Sequence, residues 1–242
     1  AIMSLALIPI LLTKRKAPTF KKITSMSIRD LYESSPLGTV GAFLLGTVHS
    51  AVFLFFAVYA AEMNFTIFEI SIVTFLLTIS GAVAQYPVGY ISDKLDRRRV
   101  IIYATFGSAF FAVMLIISSG TMYLPEGLGS SKIWFYLFVI LFSFCSLPMF
   151  SLILAHTNDY ITKDKFVAAG ASLQFSFGFG AMSGPFLCSI FMNLIGNNGF
   201  FIFIIIFHSI IGIFGIHRMK VMPSLENPDS QFVPMPQTIT PV

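Results

Sequence analysis

A short charged segment holds the side chains best suited to chemistry in this sequence. Residues 89–99 contain Gly89, Asp93, Lys94, Arg97 and Arg98. Carboxylates and guanidinium groups at this spacing can pair with one another, and arginine also pairs with lipid phosphate. We expect the glycine to permit close approach of a helix and the aspartate to lie at a helix N-terminus. The segment therefore predicts a site of electrostatic pairing.

Two histidines lie within long apolar runs. His49 is near the middle of the first complete run and His208 is in the last, and no carboxylate lies in the middle of any run. Imidazole can carry a proton near neutral pH, so we expect His49 to be the proton carrier if there is one, with His208 as second choice. The alternative is a histidine that holds neighbouring helices together by a hydrogen bond.

Polar and small side chains mark one face of a second apolar run. Thr74, Thr78, Gly81 and Gln85 recur at offsets of four, seven and eleven, which places them on one helix face. This face is either the wall of a solute cavity or a seam for close packing. With Gln174 in the fifth run, Thr78 and Gln85 are candidate contacts to a substrate or to a proton pathway.

His156, Asn158 and Asp159 cluster at the end of the fourth run. A metal or catalytic site would need partners converging from elsewhere, so we predict neither. We expect a cytoplasmic latch, with capping and ion pairs to Lys163 or Lys165.

Helix-breaking residues suggest hinges in two runs. Pro185 follows Gly180 and Gly184 in the fifth run, and Pro148 lies in the fourth. A proline removes a backbone hydrogen bond and permits a kink. The alternative is that proline and glycine are simply frequent in membrane helices.

The elements that position these residues follow from composition. Only 11% of the 242 residues are charged, 56% are hydrophobic and the mean hydropathy is +0.84, which excludes a soluble globular domain. Cys145 and Cys188 lie in apolar runs and imply no disulfide framework or metal site. We predict an all-α polytopic membrane protein with six complete transmembrane helices at about 37–61, 70–90, 100–117, 133–155, 166–195 and 199–216.

The positions of the basic residues predict the orientation. If the six spans alternate, Lys132 alone among the 15 basic residues lies on one side, and the other fourteen lie opposite. Basic loops remain in the cytoplasm, so loops 13–36, 93–99 and 156–165 and the C-terminus are predicted to be cytoplasmic. This asymmetry explains the net charge of +4 without nucleic acid.

The two ends of the chain differ from the spans. Residues 1–12 are apolar but would rise only about 18 Å as a helix, so they are interpreted as the truncated end of a longer transmembrane helix. Residues 13–36 are interpreted as a cytoplasmic linker. Residues 218–242 are predicted to be a disordered cytoplasmic tail, since the segment from 223 contains five prolines.

Residues 89–99 resemble the signature loop of the major facilitator superfamily, G-x-x-x-D-R/K-x-G-R-R/K. Gly89, Asp93, Lys94, Arg97 and Arg98 match, and Asp96 replaces the usual glycine. The resemblance implies a transporter built from two six-helix halves that rock about a site near mid-membrane.

A second resemblance extends over most of the chain. Residues 85–89, 151–159 and 178–185 are similar to the YcaD-like branch of bacterial major facilitators, so the resemblance covers residues 37–216. It implies the C-terminal half of a twelve-helix fold, from the end of helix six to helix twelve. Helices seven, eight, ten and eleven are then expected to line the cavity, which places His49 better than His208.

The expected function is therefore secondary active transport of a small solute by alternating access, in a bacterial inner membrane. The expected partners are the lipid bilayer, the solute with a coupling proton or cation, and the missing N-terminal half; no cofactor or enzymatic activity is expected. Two alternatives stay open: a six-span channel or receptor, and an intramembrane protease. The protease would need Gly129-Ser130 and His208, which share no evident depth.

Overall fold

The computed structural model describes residues 25–121 and 132–221. Within these ranges the chain forms eight α-helices, one 3₁₀ turn at Lys163–Lys165 and no strand. The helices are α1 (Ile28–Ser34), α2 (Pro36–Glu62), α3 (Ile67–Lys94), α4 (Arg97–Thr121), α5 (Lys132–Ser146), α6 (Met149–Asp159), α7 (Phe166–Ile195) and α8 (Gly199–Val221). The all-α fold class is confirmed.

Six spans in the described residues are long and apolar enough to cross a membrane, with α5 and α6 together forming one of them. This confirms the predicted six-helix membrane domain. Most of the helices run past the predicted apolar stretches, because polar residues at a helix end still form backbone hydrogen bonds. For example, α3 begins at a capping box in which the Glu69 carboxylate accepts from Thr66 N at 2.8 Å, and it continues to Lys94.

Two predicted segments outside the spans differ in detail from the structure. Part of the predicted linker forms α1, whose capping box joins Ser27 and Asp30. The last span continues to Val221, so the first four residues of the predicted tail are helical. The truncated helix at 1–12, linker residues 13–24, the Gly129-Ser130 pair and tail residues 222–242 lie outside the described residues.

Helix α2 lies at the centre of the bundle, and its most extensive interface is with α7. Small residues make this interface close: a Cβ on Gly180 would meet the carbonyl oxygen of Phe43, and one on Gly184 would meet that of Thr47. In the same seam the Ser176 hydroxyl donates to the Thr39 carbonyl at 3.0 Å. Close packing of small residues is how helices associate in lipid.

Charged loops lie at one end of the bundle, here called the charged end (residues 93–99 and 156–165). The turns at 62–66 and 196–199 form the opposite end. The core nearer the opposite end is aromatic, and Tyr59 lies with its ring centroid 4.7 Å from that of Phe201. The core nearer the charged end is mainly aliphatic. Both layers fix the helices whose polar residues are described next.

Candidate functional site

Arg97 joins three helices at the charged end. Its guanidinium donates to Asp93 of α3 at 2.9 Å and lies 3.4 Å from the carboxylate of Asp159, the last residue of α6. The three side chains are between 13% and 21% exposed, so solvent screens them less than an ordinary surface pair. The structure therefore brings the signature loop and the predicted latch together. The expected pairing of Asp159 with Lys163 or Lys165 is wrong. Among the described residues the ion-pair partner of Asp159 is Arg97.

Asp96 and Arg98 form a second ion pair in the same loop. The Arg98 guanidinium donates to both carboxylate oxygens of Asp96, with a closest distance of 2.7 Å, and the Arg98 backbone N–H donates to the same carboxylate. Asp96 thus lies at the N-terminus of α4, the position expected for Asp93. Partial burial acts to raise the pKa of Asp96, but the Arg98 hydrogen bonds and charge hold it below its usual value.

The other two signature residues make no contact between helices within the described residues. A Cβ on Gly89 would have no neighbouring atom within 4 Å, so the close approach expected there is not made within the described part of the chain. Lys94 turns back along α3, where its amine donates to the Tyr90 hydroxyl and lies 4.1 Å from the ring centroid.

The two remaining latch residues lie beside the ion pairs. His156 is 4% exposed, meets the edge of the Tyr160 ring and lines a small pocket with Arg98 and Arg218. The Asn158 side-chain oxygen is buried without a hydrogen-bond partner among the described residues. No group of three or more metal-ligating side chains occurs in those residues.

The predicted substrate contacts lie on uncovered helix faces. Only 28% of the apolar stretch of the α3 span and 22% of that of the α7 span is buried, against 56% for α2. Gln85 is exposed and accepts from the Ser151 hydroxyl of α6 at 3.0 Å, and Gln174 is exposed on α7. Thr74 and Thr78 are also exposed, and each hydroxyl donates to a carbonyl of its own helix.

Gly81 shares the predicted face but has a different environment, because it packs against Leu147 where the fourth span is broken. The face is thus a packing seam at one position and an open wall at the others. The assignment of Thr78, Gln85 and Gln174 to a substrate stays a prediction.

The structure brings His49 and His208 together, although four spans lie between theirs in the sequence. His49 Nε2 donates to the Ser146 carbonyl at 3.2 Å, and the Ser146 hydroxyl lies 3.1 Å from His208 Nε2. His49 is 5% exposed, and Ser146 and His208 are fully buried. Sequence analysis missed Ser146, and its one signal is a serine placed directly before Leu147-Pro148 in an apolar run.

The predicted hinge residues have unlike surroundings. The fourth span is interrupted at Leu147-Pro148, between α5 and α6, whereas α7 is helical through Pro185. Gly180 and Gly184 are buried against α2. Bending at any of the four residues stays a prediction.

Sequence analysis also missed an ion pair at the opposite end. The Lys132 amine lies 2.6 Å from a Glu69 carboxylate oxygen and 4.8 Å from the centroid of the Phe65 ring. The signal was present, because Lys132 is the one basic residue on its side of the predicted topology and Glu69 is an acidic residue near the same end.

A bundle of six membrane-spanning helices, with an ion-paired loop after the second, defines a multi-pass integral membrane protein. The family model described as Major Facilitator Superfamily matches residues 38–241, so the chain belongs to that superfamily.

Curated relatives agree with this assignment. An uncharacterized MFS-type transporter of Yersinia enterocolitica is 23% identical over 201 residues, which cover 83% of this chain and 47% of the relative. The uncharacterized MFS-type transporter YcaD of Escherichia fergusonii is 21% identical over 206 residues, 84% of this chain and 50% of the relative. The chain thus spans about half the length of the curated relatives it matches. No solved structure gives a significant match.

Proposed function

We propose that the chain acts as the C-terminal half of a secondary transporter that moves a small solute by alternating access. The observation that carries this proposal is that the spans of α3 and α7 are much less buried than the other four spans of the bundle. In lipid, polar side chains are costly, so an exposed face that carries Gln85 and Gln174 suits a solute cavity or a partner half. The relatives' greater length supports a second half.

The proposed cavity is lined by side chains that bind without charge. Gln85 and Gln174 each offer an amide donor and an amide acceptor, and Thr78 adds a hydroxyl near the same face. Because no carboxylate or ammonium group lies mid-span, a fully charged solute would need its counter-charge from the other half. The solute itself is therefore one that hydrogen bonds with amides can orient.

The ion pairs at the charged end would act as a latch between conformations. Arg97 links the ends of α3 and α6 through Asp93 and Asp159, so a rearrangement of these ends must exchange or break the pairs. Packed interfaces of this kind switch between discrete arrangements and do not deform continuously, so the pairs would mark one of two conformations. We place this end in the cytoplasm of a bacterial inner membrane, as the excess of basic residues favours.

Sided labelling of the full-length protein tests alternating access without knowledge of the solute. Single cysteines replace Thr78 or Gln174 in a background with Cys145, Cys188 and any other cysteines changed to alanine. A membrane-impermeant maleimide should reach each position from either side of the membrane. Phe110→Cys is the control, since Phe110 is 55% exposed but lies on α4, outside the proposed cavity, and should not react.

The latch is tested in the same background by Asp93→Asn. Loss of the carboxylate should shift labelling at Gln174→Cys toward the side of the charged end by several-fold, because the pair with Arg97 is weakened. Asp164→Asn removes an exposed carboxylate outside the cluster and should leave the ratio unchanged. Labelling from one side only, whatever the variant, would contradict alternating access, and ion conductance would favour a channel.

A further inference from the structure

The hydrogen-bonded chain of His49, Ser146 and His208 has a fixed direction at the His49 end. A carbonyl oxygen only accepts, so His49 Nε2 must carry the hydrogen that it donates to the Ser146 carbonyl. The same nitrogen lies 3.4 Å from the Ser146 hydroxyl oxygen. Because that nitrogen already bears hydrogen, the hydroxyl hydrogen is available to His208 Nε2, which lies 3.1 Å away. In this arrangement His208 carries its own hydrogen on Nδ1.

The surroundings of the two imidazole rings are aromatic. His49 meets the ring edges of Phe53 and Phe177, with centroids 6.5 and 6.1 Å away, and His208 meets Phe142 at 6.2 Å.

No charged side chain in the described part of α4, α5, α6 or α7 acts on either imidazole; for His208 the one titratable neighbour is His49. The thiol of Cys145, next in sequence to Ser146, packs toward Gly107 of α4. Two imidazolium ions so close in a medium of low dielectric would repel strongly, so the pair can hold at most one added proton.

The hydrogen bonds of His49 and His208 meet at Ser146, which lies directly before the break in the fourth span. In an unbroken helix the Ser146 carbonyl would accept from the backbone N–H of Phe150. Ser146 is instead the last residue of α5, and α6 begins at Met149. At this break the side chain of His49 donates through Nε2 to the Ser146 carbonyl. The His49 bond therefore stabilises the broken form of the span.

We propose that His49, Ser146 and His208 form a binding site for a single proton, and that the position of this proton is coupled to the break in the span. A proton from water binds the bare Nδ1 of His49. The hydrogen on His49 Nε2 then passes to the Ser146 oxygen while the hydroxyl hydrogen passes to His208 Nε2. The products are a neutral His49 with its hydrogen on Nδ1, an intact serine and a His208 imidazolium.

This transfer releases the backbone at the break. His49 Nε2 is bare after the transfer and cannot donate to the Ser146 carbonyl, so the carbonyl loses this donor and a hydrogen bond from the Phe150 backbone N–H becomes more favourable. Closing the bond moves α6 and with it the Phe150 ring, which lies 5.0 Å from the Phe177 ring that covers His49. The use of this step to drive transport rests on the proposed function, whereas proton binding itself does not.

Nitrogen NMR of the full-length protein, labelled with ¹⁵N only in histidine, tests the site directly, because bare and hydrogen-bearing imidazole nitrogens resonate far apart. His49→Gln and His208→Gln assign the signals. At neutral pH we expect hydrogen on Nε2 of His49 and on Nδ1 of His208. As the pH is lowered from about 8 to about 3, a range wide enough for imidazoles in an apolar pocket, His208 should become charged and His49 should switch its hydrogen to Nδ1. The opposite tautomers, two charged rings or no change would each overturn the proposal.

Ser146→Ala removes the hydroxyl that relays the proton. In this variant His49 should keep its hydrogen on Nε2 at every pH and His208 should take up no proton. Ser143→Ala is the matched control: Ser143 is equally buried one turn earlier, but its hydroxyl donates to the Leu77 carbonyl, so the wild-type tautomer switch should persist. Monodispersity on size exclusion shows that each variant is folded.

A wild-type switch in Ser146→Ala would overturn the relay. The experiment also separates this proposal from the proposed function. Cysteine labelling from both sides without proton uptake would support alternating access and reject the proton site. Proton uptake with labelling from one side only would support the proton site and reject alternating access.

Discussion

Replacement of Gly180 by alanine should force α2 and α7 apart. The added Cβ would overlap the Phe43 carbonyl oxygen and lie 3.1 Å from the Thr47 backbone nitrogen, and neither atom can turn away as a side chain can. Overpacking of this kind costs about 1–3 kcal/mol. Alanine recovers up to about 1 kcal/mol through its higher helix propensity. Because the obstructing atoms belong to the backbone, the cost lies in the upper part of this range, about 2–3 kcal/mol, and the expected net loss of stability is about 1–2 kcal/mol.

Thermal unfolding of the purified protein in detergent measures this loss. For a chain of this size each kcal/mol lowers Tm by about 2–4 °C, so we expect a decrease of about 2–8 °C. Gly178→Ala is the matched control, because it lies on the same helix with no atom within 4 Å of the added Cβ, and its Tm should be unchanged or higher. Equal Tm values for the two variants would refute the argument that Gly180 is needed for close packing.

Two further predictions concern ion pairs. Asp96→Asn keeps a residue that can cap α4 but loses the charge that pairs with Arg98, so Tm at pH 7 should fall by an amount equal to about 1–2 kcal/mol. The pKa of Asp96 is held below its usual value, so the contribution of the ionised carboxylate to stability is complete above about pH 4. This contribution is lost as the pH falls through the lowered pKa, and the Tm difference between wild type and variant should shrink there. A pH-independent difference would contradict this assignment. Glu69→Gln should lower Tm less than Asp96→Asn does, because Lys132 and Glu69 are 39% and 22% exposed and glutamine preserves the capping box. An equal or larger fall in Tm would show that the pair does more than the structure indicates.

The spans could be predicted from sequence because lipid imposes one requirement on all of them. A helix that crosses hydrocarbon must be apolar over about 20 residues, and that signal needs no knowledge of neighbouring helices. The helix ends were less predictable. Lys94 and Val221 lie beyond the apolar runs, where backbone hydrogen bonds, not hydropathy, decide how far the helix continues.

Pairings between spans could not be predicted, since spacing along one helix says nothing about its partner. Asp159 lies four residues from Lys163, a typical helical spacing, yet the turn at Tyr160 directs it to Arg97 instead. His208 was ranked below His49 by its span alone, but both imidazoles meet at Ser146. Such contacts depend on the rotation of each helix, which is fixed by packing at small residues such as those between α2 and α7.

The broken span links the two polar networks of the bundle. Helix α6 carries Asp159 at one end, where Arg97 holds it, and begins just after the break at Ser146, where His49 holds the preceding backbone. It has 11 residues and is therefore about 16 Å long, short enough to move as a rigid rod. Its side chains also meet the exposed faces on both sides, through Ser151 on Gln85 of α3 and through Phe150 on α7. A change at either end thus displaces the same segment, and that segment contacts both helices of the proposed cavity wall.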